Sequence, residues 1–560
     1  MLHDAYDLSF YEFDDEKDPK EYGVLLCDVV HGRPPMKPAY IGIGWYWYYH
    51  AIRKAADDLH LPTTFGWDSR FVKGYPYITA IRTTPEEAKA REPIFREKIK
   101  PFFENFDGVW DPLKAELLKI YKEAKASRGL KEWSDIQKLS NGDLLTFFLD
   151  FVYVINRKEA ETHFIMLMAS FYIVGLLQEM WRTLFGEEPS IDPNFNRLMA
   201  GFENQDLKLA RSMWQLGRKA VELGLEEAFK NTEDDALIDK LNATEAGKTW
   251  NGLYHEFLLE HGWRADRMHA YDSPVWLEKP SLALGRIKLL MSEPVFKFDV
   301  ERDRVIKDRE QAEKEILAKV PEAQRPVFNV LMKAAQKSGY WSEDHTYYCD
   351  LYVGAIGRWI LSEFGRRFAQ AGTIDNAEDV HFLHPSEIRK AAIPMGRINL
   401  RPYVERRKKA WEENMTIEPA PFFGDISQAQ DVVRSDPTLL VSTQVPVVRK
   451  ELKADLYGAA SAPGSFQGIA RVIMSVDKIS ELKSGEILVA PGTSTSWMVV
   501  FGIIKGLVTD GGGALSHPII MAREFGIPCV SGTVEATQKI KTGDKIWVDG
   551  NRGVVYIMDK

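Results

Sequence analysis

The sequence predicts a mainly helical N-terminal domain over residues 1–440, followed by a small α/β domain over residues 459–560. Before about residue 440, apolar residues recur every three to four positions, as in "GRWILSEFGRRFAQAG", which is typical of packed helices. After residue 458, short β-rich runs alternate with glycine turns, which is typical of strands. The mixed-charge segment 441–458 has no sustained period, and it is predicted to be a hinge linker.

Size and composition narrow the class of protein. The chain has 560 residues, which is more than one ordinary domain holds. Its net charge is −9, and this acidity argues against nucleic acid as the main partner. The three cysteines are far apart and form no CxxC pair, so neither a disulfide framework nor a zinc site is indicated. The N-terminus lacks the pattern of a signal peptide, and we therefore expect a cytoplasmic protein.

One apolar stretch, Phe164–Trp181, resembles a membrane span in composition. Its uninterrupted apolar part ends at Leu177, and Glu179 lies within it. Because a span needs about 20 apolar residues, we predict a buried core helix and no membrane segment.

Three local patterns predict particular elements. Gly129 is placed to end a helix that runs through "PLKAELLKIYKEAKASRG". Pro518 and Gly526 bound a second short helix, predicted from about Pro518 to Phe525. Asp549-Gly550-Asn551 lies between two β-rich runs and predicts a hairpin.

The stretch "TDGGGALSHPIIMAREFGIPCVSG" carries the clearest chemical signal. Three consecutive glycines precede the second helix, and Pro518 suits its first position, so Ser516 or His517 is predicted at the N-cap. At that place, unpaired amide groups and the helix dipole favour anions. A neutral imidazole is also a nucleophile near pH 7. The local sequence is therefore consistent with His517 as a residue that accepts a phosphoryl group. It is equally consistent with His517 as a helix-capping residue that has no chemical role.

Several neighbours could stabilise a phosphoryl group on His517. The candidates are the hydroxyls of Thr509 and Ser516 and the amides of Gly511, Gly512 and Gly513. Arg523 follows one and a half turns along the helix. It could balance the charge of the phosphoryl group, or it could be a solvated surface residue.

The same stretch closely resembles the phosphohistidine signature of the swivelling domain of phosphoenolpyruvate-utilising enzymes, such as pyruvate phosphate dikinase, phosphoenolpyruvate synthase and rifampin phosphotransferase. The segments "SAPGSFQGIARVI" and "ILVAPGTSTSWMVV" resemble two further parts of that domain. The resemblance implies that His517 is phosphorylated. In "PGTSTSW" this chain lacks the proline that many members have shortly before the tryptophan, and we expect only local packing to differ.

The N-terminal part resembles the acceptor-substrate region of rifampin phosphotransferase-type proteins in four segments. They are "HGRPPMKP", "HGWRADRMHAYDSPVWLEKP", "EDHTYYCD" and "AGTIDNAEDVHFLHPSEI". The sequence shows neither an ATP-grasp domain nor a phosphoenolpyruvate barrel. This arrangement resembles the α subunit of phenylphosphate synthase, which acts in anaerobic phenol degradation. The resemblance implies a hetero-oligomer in which a separate ATP-grasp subunit, with ATP and Mg or Mn, phosphorylates His517 and releases AMP and phosphate. We expect no metal site on this chain.

The acceptor hydroxyl needs a base within hydrogen-bond reach. His345, between Asp344 and Tyr347, is the first candidate, and His50 at the end of "WYWYYH" is the second. Arg264 and His269 are candidate clamps for the arriving phosphoryl group. The aromatic run that includes Trp45 and Trp47 indicates either core packing or a pocket for a flat apolar substrate.

Three functions remain open at this stage. The first is a phosphotransferase subunit that acts on a phenol-like hydroxyl compound. The second keeps this chemistry, but the acceptor is an antibiotic or another alcohol. The third is a non-catalytic regulatory or binding module with a relict swivelling domain.

Overall fold

The computed structural model describes residues 23–28, 31–32, 34–186, 189, 192–267, 270–291, 293–425, 427–429, 432, 439, 452–493, 495–512 and 516–558. Its contacts divide the chain into two compact units. Unit 1 comprises Met1–Tyr172, Arg267–Ser273 and His345–Val445, and unit 2 comprises Ile173–Asp266, Pro274–Asp344 and Pro446–Lys560. The predicted domain boundaries at residues 440 and 459 stay a prediction. Residues 441–451 of the predicted linker lie outside the described residues.

Unit 1 is mainly helical. Its α-helices are Pro38–Tyr40, Tyr46–Asp58, Pro85–Glu104, Phe106–Ala126, Asn141–Asp150, Asn156–Phe185 (which continues into unit 2), Tyr352–Ala371, Pro385–Ala391 and Arg401–Asn414. Short 3₁₀ turns cover Trp133–Lys138 and Ala377–Phe382. Three π-helical turns, Ile41–Trp45, Phe151–Ile155 and Thr346–Leu351, directly precede longer α-helices. Such turns occur often at functional sites.

A small antiparallel sheet completes unit 1. Its strands are β1 (Leu25–Cys27), β2 (Thr64–Val72), β3 (Tyr75–Arg82) and β4 (Phe422–Phe423), in the order β2-β3-β1-β4. Cys27 pairs with Tyr77 across the sheet, and its side chain is fully buried. The sheet therefore fixes the chain up to Cys27.

Unit 2 begins with helices and ends with the α/β domain. Its α-helices before residue 452 are Pro193–Leu198, Gln205–Glu222, Glu226–Asn231, Asp234–Leu241, Glu245–His261, Ser281–Met291, Lys297–Lys319 and Arg325–His345, with a 3₁₀ turn at Glu322–Gln324. One apolar core joins side chains of these helices to side chains of the α/β domain, including Leu290, Phe501 and Ile519.

The α/β domain is a single eight-stranded sheet with short helices. Its strands are β5 (Leu456–Tyr457), β6 (Ala459–Ala462), β7 (Ser465–Val472), β8 (Ile487–Ala490), β9 (Gly506–Thr509), β10 (Cys529–Ser531), β11 (Lys545–Asp549) and β12 (Val554–Ile557). The order is β5-β12-β11-β7-β8-β9-β10-β6, and β7 to β10 are parallel. The helical segments are Val476–Glu481, Thr495–Gly502, His517–Glu524 and Ala536–Lys539. This confirms the predicted fold class.

The parallel register brings distant loops together. Parallel strands place their carboxyl ends at one edge of the sheet, and β8 and β9 are neighbours there. The loop after β8 carries Thr493, and the glycine turn after β9 leads to His517. The two residues therefore meet although 24 positions separate them.

The local predictions agree closely with the structure. The helix predicted from Pro518 to Phe525 runs from His517 to Glu524. The predicted hairpin is formed by β11 and β12. The helix ahead of Gly129 ends at Ala126, and Gly129 takes a positive φ of 66°.

The predicted core helix is also confirmed. By length and composition alone, the helical run Asn141–Phe185 could cross a membrane. Its most apolar window is 78% buried inside the protein, as in a core helix. The cytoplasmic location stays a prediction.

Candidate phosphohistidine site

His517 is the first residue of its helix, and Ser516 is the N-cap with extended backbone angles. The Ser516 side chain makes no capping hydrogen bond to the helix. Ahead of it, Gly512 has a φ of 108°, and a Cβ there would come within 2.6 Å of Ser516 Oγ. Glycine is therefore required at residue 512 by both conformation and space. Gly513 lies outside the described residues.

The rest of the glycine turn is held by bonds within the domain. The Thr509 hydroxyl donates to the Gly511 carbonyl at 2.8 Å, and the Gly511 amide donates to the Pro491 carbonyl at 2.9 Å. The Ser531 hydroxyl donates to the Gly512 carbonyl at 2.8 Å. These bonds give the turn its shape. The predicted contacts of Thr509, Gly511, Gly512 and Ser516 with a phosphoryl group stay a prediction.

The imidazole of His517 is held on two sides. Its Nδ1 lies 3.0 Å from Thr493 Oγ1, within hydrogen-bond distance. The Phe501 ring contacts it edge to face, with 5.9 Å between ring centres. The His517 side chain is 11% exposed, so little solvent surrounds it. Nδ1 is therefore engaged by Thr493, whereas Nε2 has no hydrogen-bond partner among the described residues.

Nε2 of His517 faces two carboxylates of unit 2. It lies 3.6 Å from Asp206 Oδ2 and 3.8 Å from Glu343 Oε2. Within the described part of the chain, neither Nε2 nor Asp206 Oδ2 has a hydrogen-bond partner, although both atoms are buried. Buried polar atoms are rarely left in this state. The gap between them is therefore a place where a proton, a cation or a reacting group is expected.

The two carboxylates differ in their surroundings. Arg264, which is 1% exposed, donates to Asp206 Oδ1 at 3.2 Å and balances its charge. Burial raises the pKa of Glu343 well above its usual range, and the nearby Asp206 carboxylate adds to this effect. Arg264, a predicted phosphoryl clamp, thus lies buried beside Asp206. Its role as a clamp stays a prediction.

The far end of the helix is anchored through Glu524. Its carboxylate accepts hydrogen bonds from the amides of Gly201 and Phe202, at 3.0 and 3.1 Å. Burial raises the pKa of Glu524 to about 8. Arg523 is 6% exposed, and burial lowers its pKa to about 10. Arg523 is therefore a buried cation, which excludes the solvated surface alternative. Its predicted contact with a phosphoryl group stays a prediction.

The predicted acceptor base His345 lies in unit 1 near a buried acidic group. His345 Nε2 lies 3.7 Å from Asp350 Oδ2, and its ring packs 4.6 Å from that of His163. The Tyr48 hydroxyl donates to Asp350. The neighbour in sequence, Asp344, instead accepts the Gln205 amide at 2.8 Å. The acidic partner of His345 is therefore Asp350, and the role of His345 as a base stays a prediction.

The other acceptor candidates have aromatic surroundings or are not described. Trp45 is buried and donates from Nε1 to Ser69 Oγ at 2.7 Å, as a core residue does. His50 packs edge to face against Tyr46 and Trp47, and burial lowers its pKa. His269 lies outside the described residues. No common site of these residues is apparent within the described part of the chain.

Among the described residues, three groups of side chains bring possible metal ligands together. They are Glu159, His163 and Cys349; His163, His345 and Asp350; and Asp206, Glu343 and His517, and in each group the ligand atoms lie within 4.8 Å of one another. Apart from Glu159 and His163, which lie one helical turn apart, the members of each group come from different helical segments, so sequence spacing did not reveal these groups. The expectation that this chain holds no metal stays a prediction.

Thr493, Asp206 and Glu343 were missed by the sequence analysis. Thr493 lies in "PGTSTSW", a segment already compared with the swivelling domain, so a signal for it was present. Asp206 and Glu343 lie more than 170 residues before His517 on separate helices, and no local pattern marks them.

The geometry shows a small α/β domain that carries a histidine, His517, at the first position of a helix. Comparison with known families shows what this domain is similar to. Residues 482–553 match the family "PEP-utilising enzyme, mobile domain". Residues 162–342 match a second family, "Rifampicin phosphotransferase fourth domain". Two segments of the chain are therefore similar to these two families, in agreement with the resemblance noted in the sequence.

Individual relatives agree with these matches. The chain is 28% identical over 402 residues to "Uncharacterized phosphotransferase YvkC" of Bacillus subtilis (strain 168), covering 71% of this chain and 47% of that protein. It is 26% identical over 344 residues to a "Rifampicin phosphotransferase" of Streptomyces sp, covering 59% and 37%. A "Probable phosphoenolpyruvate synthase" of Pyrococcus horikoshii is 40% identical over 128 residues, covering 22% and 16%. The matches thus span less than half the length of these relatives.

Proposed function

We propose that this chain is a phosphotransferase subunit in which phosphorylated His517 carries a phosphoryl group to the hydroxyl of a phenol-like substrate. One observation carries the proposal. The imidazole is held through Nδ1 by Thr493, while the buried Nε2 has no hydrogen-bond partner among the described residues. A nitrogen that is fixed and not hydrogen-bonded can act as a nucleophile toward phosphorus.

The contact with Thr493 determines which nitrogen reacts. In the tautomer with a proton on Nδ1, that N–H donates to Thr493 Oγ1 and the lone pair lies on Nε2. Nε2 then forms the N–P bond with an incoming phosphoryl group. Because Nδ1 keeps its proton, His517 leaves as a neutral imidazole when an acceptor oxygen attacks phosphorus. His517 can therefore accept the phosphoryl group and release it to an acceptor without a change of tautomer.

We further propose that the phosphoryl group comes from ATP bound to a separate ATP-grasp subunit with Mg or Mn. Such a reaction consumes ATP and water and yields phosphohistidine, AMP and phosphate. The resemblance to the histidine-bearing subunit of phenylphosphate synthase supports this arrangement, and it implies a cytoplasmic hetero-oligomer.

An antibiotic or another alcohol is the second candidate acceptor. The match of residues 162–342 to the rifampicin phosphotransferase fourth domain favours it, as do relatives that bear that name. Both candidates share the chemistry at His517. They differ in the size of the acceptor, and a direct comparison of simple phenols with large polyketides separates them.

The first test concerns His517 itself. The chain is treated with phosphoramidate, a small chemical phosphoryl donor that needs no partner subunit, and the modified residue is mapped by mass spectrometry. We expect one acid-labile phosphoryl group on Nε2 of His517, detected by ³¹P NMR. His517→Ala should lose this signal. His255→Gln, which alters an exposed histidine of the same unit, should keep it.

The result also decides between catalytic and non-catalytic interpretations. If His517→Ala takes up the phosphoryl group as the wild type does, the carrier role is wrong. If the wild type remains unmodified both with phosphoramidate and with ATP and an ATP-grasp partner, the relict-module alternative is favoured.

A further inference from the structure

The side chains of Asp206, Glu343 and His517 meet inside unit 2 and offer three ligand atoms to one cation. Asp206 is the second residue of the helix Gln205–Glu222. Glu343 lies in the last turn of the helix Arg325–His345, and His517 begins its own helix. Their ligand atoms, one nitrogen and two carboxylate oxygens, all lie within 4.8 Å of one another.

The separations of these atoms suit a divalent transition ion. His517 Nε2 lies 3.6 Å from Asp206 Oδ2 and 3.8 Å from Glu343 Oε2. Zinc binds imidazole nitrogen and carboxylate oxygen at about 2.0–2.2 Å, so two of its ligand atoms in a tetrahedral arrangement stand about 3.4 Å apart. The measured separations are only slightly longer. Small rotations of the two carboxylates would therefore place all three atoms around one ion.

Two of the three ligand atoms are buried without a hydrogen-bond partner. Within the described part of the chain, this is true of His517 Nε2 and Asp206 Oδ2. Asp206 is 2% exposed, so water does not surround its carboxylate. At 3.6 Å, the two atoms are also too far apart for a hydrogen bond to each other. One coordinated cation would satisfy both atoms at once.

Neighbouring residues orient two of the ligands from behind. The Thr493 hydroxyl lies 3.0 Å from Nδ1 of His517 and leaves Nε2 facing the two carboxylates. Arg264 donates to Oδ1 of Asp206 at 3.2 Å and leaves Oδ2 facing His517. Outer contacts of this kind hold the ligands of a metal ion in place in known sites.

The charge around the three residues also favours a cation. Burial and the carboxylates of Asp206, Asp344 and Glu524 raise the pKa of Glu343 well above its usual range. Several acidic groups therefore act on the same small volume, and Arg264 is the cation bonded to Asp206. A divalent ion between Asp206 and Glu343 would offset the repulsion between their carboxylates.

The types of ligand atom select a class of ion. One imidazole nitrogen and two carboxylate oxygens suit Zn²⁺, and they also suit Mn²⁺ or Co²⁺. Mg²⁺ prefers oxygen ligands alone and keeps several of its waters. Three protein ligands leave a fourth position for water, and the His517 side chain is partly open to solvent.

From these observations we infer that Asp206, Glu343 and His517 bind one Zn²⁺ or a similar divalent transition ion, which prevents phosphorylation of His517. The binding site stands on its own geometry, whereas the inhibition rests on the proposed function. Coordination of the ion and formation of the N–P bond both use the lone pair of Nε2, so they exclude each other. The ion acts as a reversible inhibitor. This replaces the expectation, based on sequence spacing, that the chain holds no metal.

Binding is measured first, without a phosphoryl donor. The metal-free, full-length chain, labelled at histidine, is titrated with Zn²⁺ and followed by ¹⁵N NMR. We expect the Nε2 signal of His517 to shift while Nδ1 keeps its proton. For Asp206→Asn and Glu343→Gln, the Zn²⁺ concentration that shifts this signal should rise by at least about 100-fold, above the roughly 10- to 100-fold effect of an outer contact. Glu310→Gln, at an exposed position of the same unit, is the matched control.

Competition with phosphorylation is measured next. With Zn²⁺ at about 100 times its Kd, the phosphorylation of wild-type His517 by phosphoramidate should slow by about 100-fold. Glu343→Gln, compared with its own metal-free rate, should slow by only about twofold if its site is about 100-fold weaker. Glu310→Gln should respond as the wild type does, and Mg²⁺ should have no effect. Chelation of phosphoramidate by Zn²⁺ would slow every variant alike, so the difference between variants reports on the site.

The reverse experiment needs no variant. Because the coupling of two ligands is reciprocal, prior phosphorylation of the wild type should abolish the binding of Zn²⁺ at His517. The chain is phosphorylated with phosphoramidate, the excess is removed, and Zn²⁺ is added. Hydrolysis of the phosphohistidine by acid, followed by refolding, should restore the Zn²⁺-dependent shift of Nε2.

The outcomes separate this inference from the proposed function. If Zn²⁺ shifts Nε2 of His517 but no donor produces phosphohistidine, the proposed function fails and the metal site stands. If Nε2 does not respond to Zn²⁺, or if neither Asp206→Asn nor Glu343→Gln weakens the response, the inference is overturned. It is also overturned if saturating Zn²⁺ leaves the rate of phosphorylation unchanged. In each of these last cases, the formation of phosphohistidine still supports the carrier role of His517.

Discussion

At the scale of single residues, the geometry around His517 depends on one hydroxyl group. Thr493 Oγ1 is 3.0 Å from Nδ1, whereas Nε2 is 3.6 Å or more from the carboxylates it faces. We therefore expect the Thr493 hydroxyl to set which nitrogen carries the proton, and so which nitrogen attacks phosphorus.

Replacing Thr493 by valine tests this assignment. The side chain keeps its shape but loses the hydroxyl, and a typical hydrogen bond contributes about 1 kcal/mol. We expect the phosphorylation of His517 by phosphoramidate to slow by about fivefold, since 1.36 kcal/mol corresponds to tenfold in rate. ¹⁵N NMR should also show a larger share of the tautomer with its proton on Nε2.

Thr493→Ser is the matched control, because it retains the hydroxyl. It should remain close to the wild type in both measurements. Equal rates for the valine variant and the wild type would show that Thr493 does not orient the ring.

At the scale of elements, the helix His517–Glu524 is anchored at its C-terminal end by a carboxylate whose burial is costly. Glu524 accepts two backbone amides from the Gly201–Phe202 turn, yet its pKa is raised to about 8. A folded-state pKa above the ordinary value means that the folded protein holds this proton longer than the unfolded chain does. Stability is therefore lost as pH rises from about 4.5 toward 8.

Glu524→Gln should remove this pH dependence. The amide oxygen of glutamine can still accept the two amides, but it does not ionise. Between pH 5 and pH 8, we expect the free energy of unfolding of the wild type to fall relative to the variant. The limit is about 4 kcal/mol, at 1.36 kcal/mol per pH unit. Chemical denaturation at several pH values measures the difference.

The control is Glu310→Gln, which changes an exposed glutamate of the same unit. It should follow the wild type at every pH. A Glu524→Gln curve parallel to that of the wild type would mean that Glu524 titrates normally in the folded protein.

The elements also show what the sequence could predict. The ends of the helix at His517 were predicted to within one residue, and the hairpin of β11 and β12 was predicted as an element. Both predictions succeeded because glycine and proline residues mark the ends of these elements in the sequence. The three π-helical turns were not predicted, since they depend on packing rather than on local propensity. His517 was predicted from the residues that directly surround it in the sequence. Asp206 and Glu343 could not be predicted, because only the packing of unit 2 brings them close to Nε2 of His517.

The candidates for the acceptor base also show that contacts created by the fold could not be predicted from neighbours in sequence. His345 and His50 were chosen for their neighbours in sequence, but Asp344 turns away to Gln205, and Asp350 is the carboxylate near His345.

At the scale of the molecule, the described arrangement of unit 2 suits an unphosphorylated His517. Nε2 is separated from Asp206 and Glu343 by less than 4 Å, and a phosphoryl group on Nε2 would have to occupy that gap. It would also bring a charge of about −1.5 to −2 toward two acidic groups. Phosphorylation should therefore weaken the packing of the α/β domain on the helices Gln205–Glu222 and Arg325–His345.

Hydrogen exchange tests whether phosphorylation weakens this packing. After treatment with phosphoramidate, backbone amides around Asp206 and Glu343 should exchange faster, because the α/β domain covers them less of the time. His517→Ala, treated in the same way, should show no change. The double variant Asp206→Asn, Glu343→Gln removes the acidic groups but not the steric conflict, so its response should be smaller than that of the wild type. Unchanged exchange in a fully phosphorylated wild type would mean that the phosphoryl group fits the site as it stands, and that Asp206 and Glu343 contact it directly.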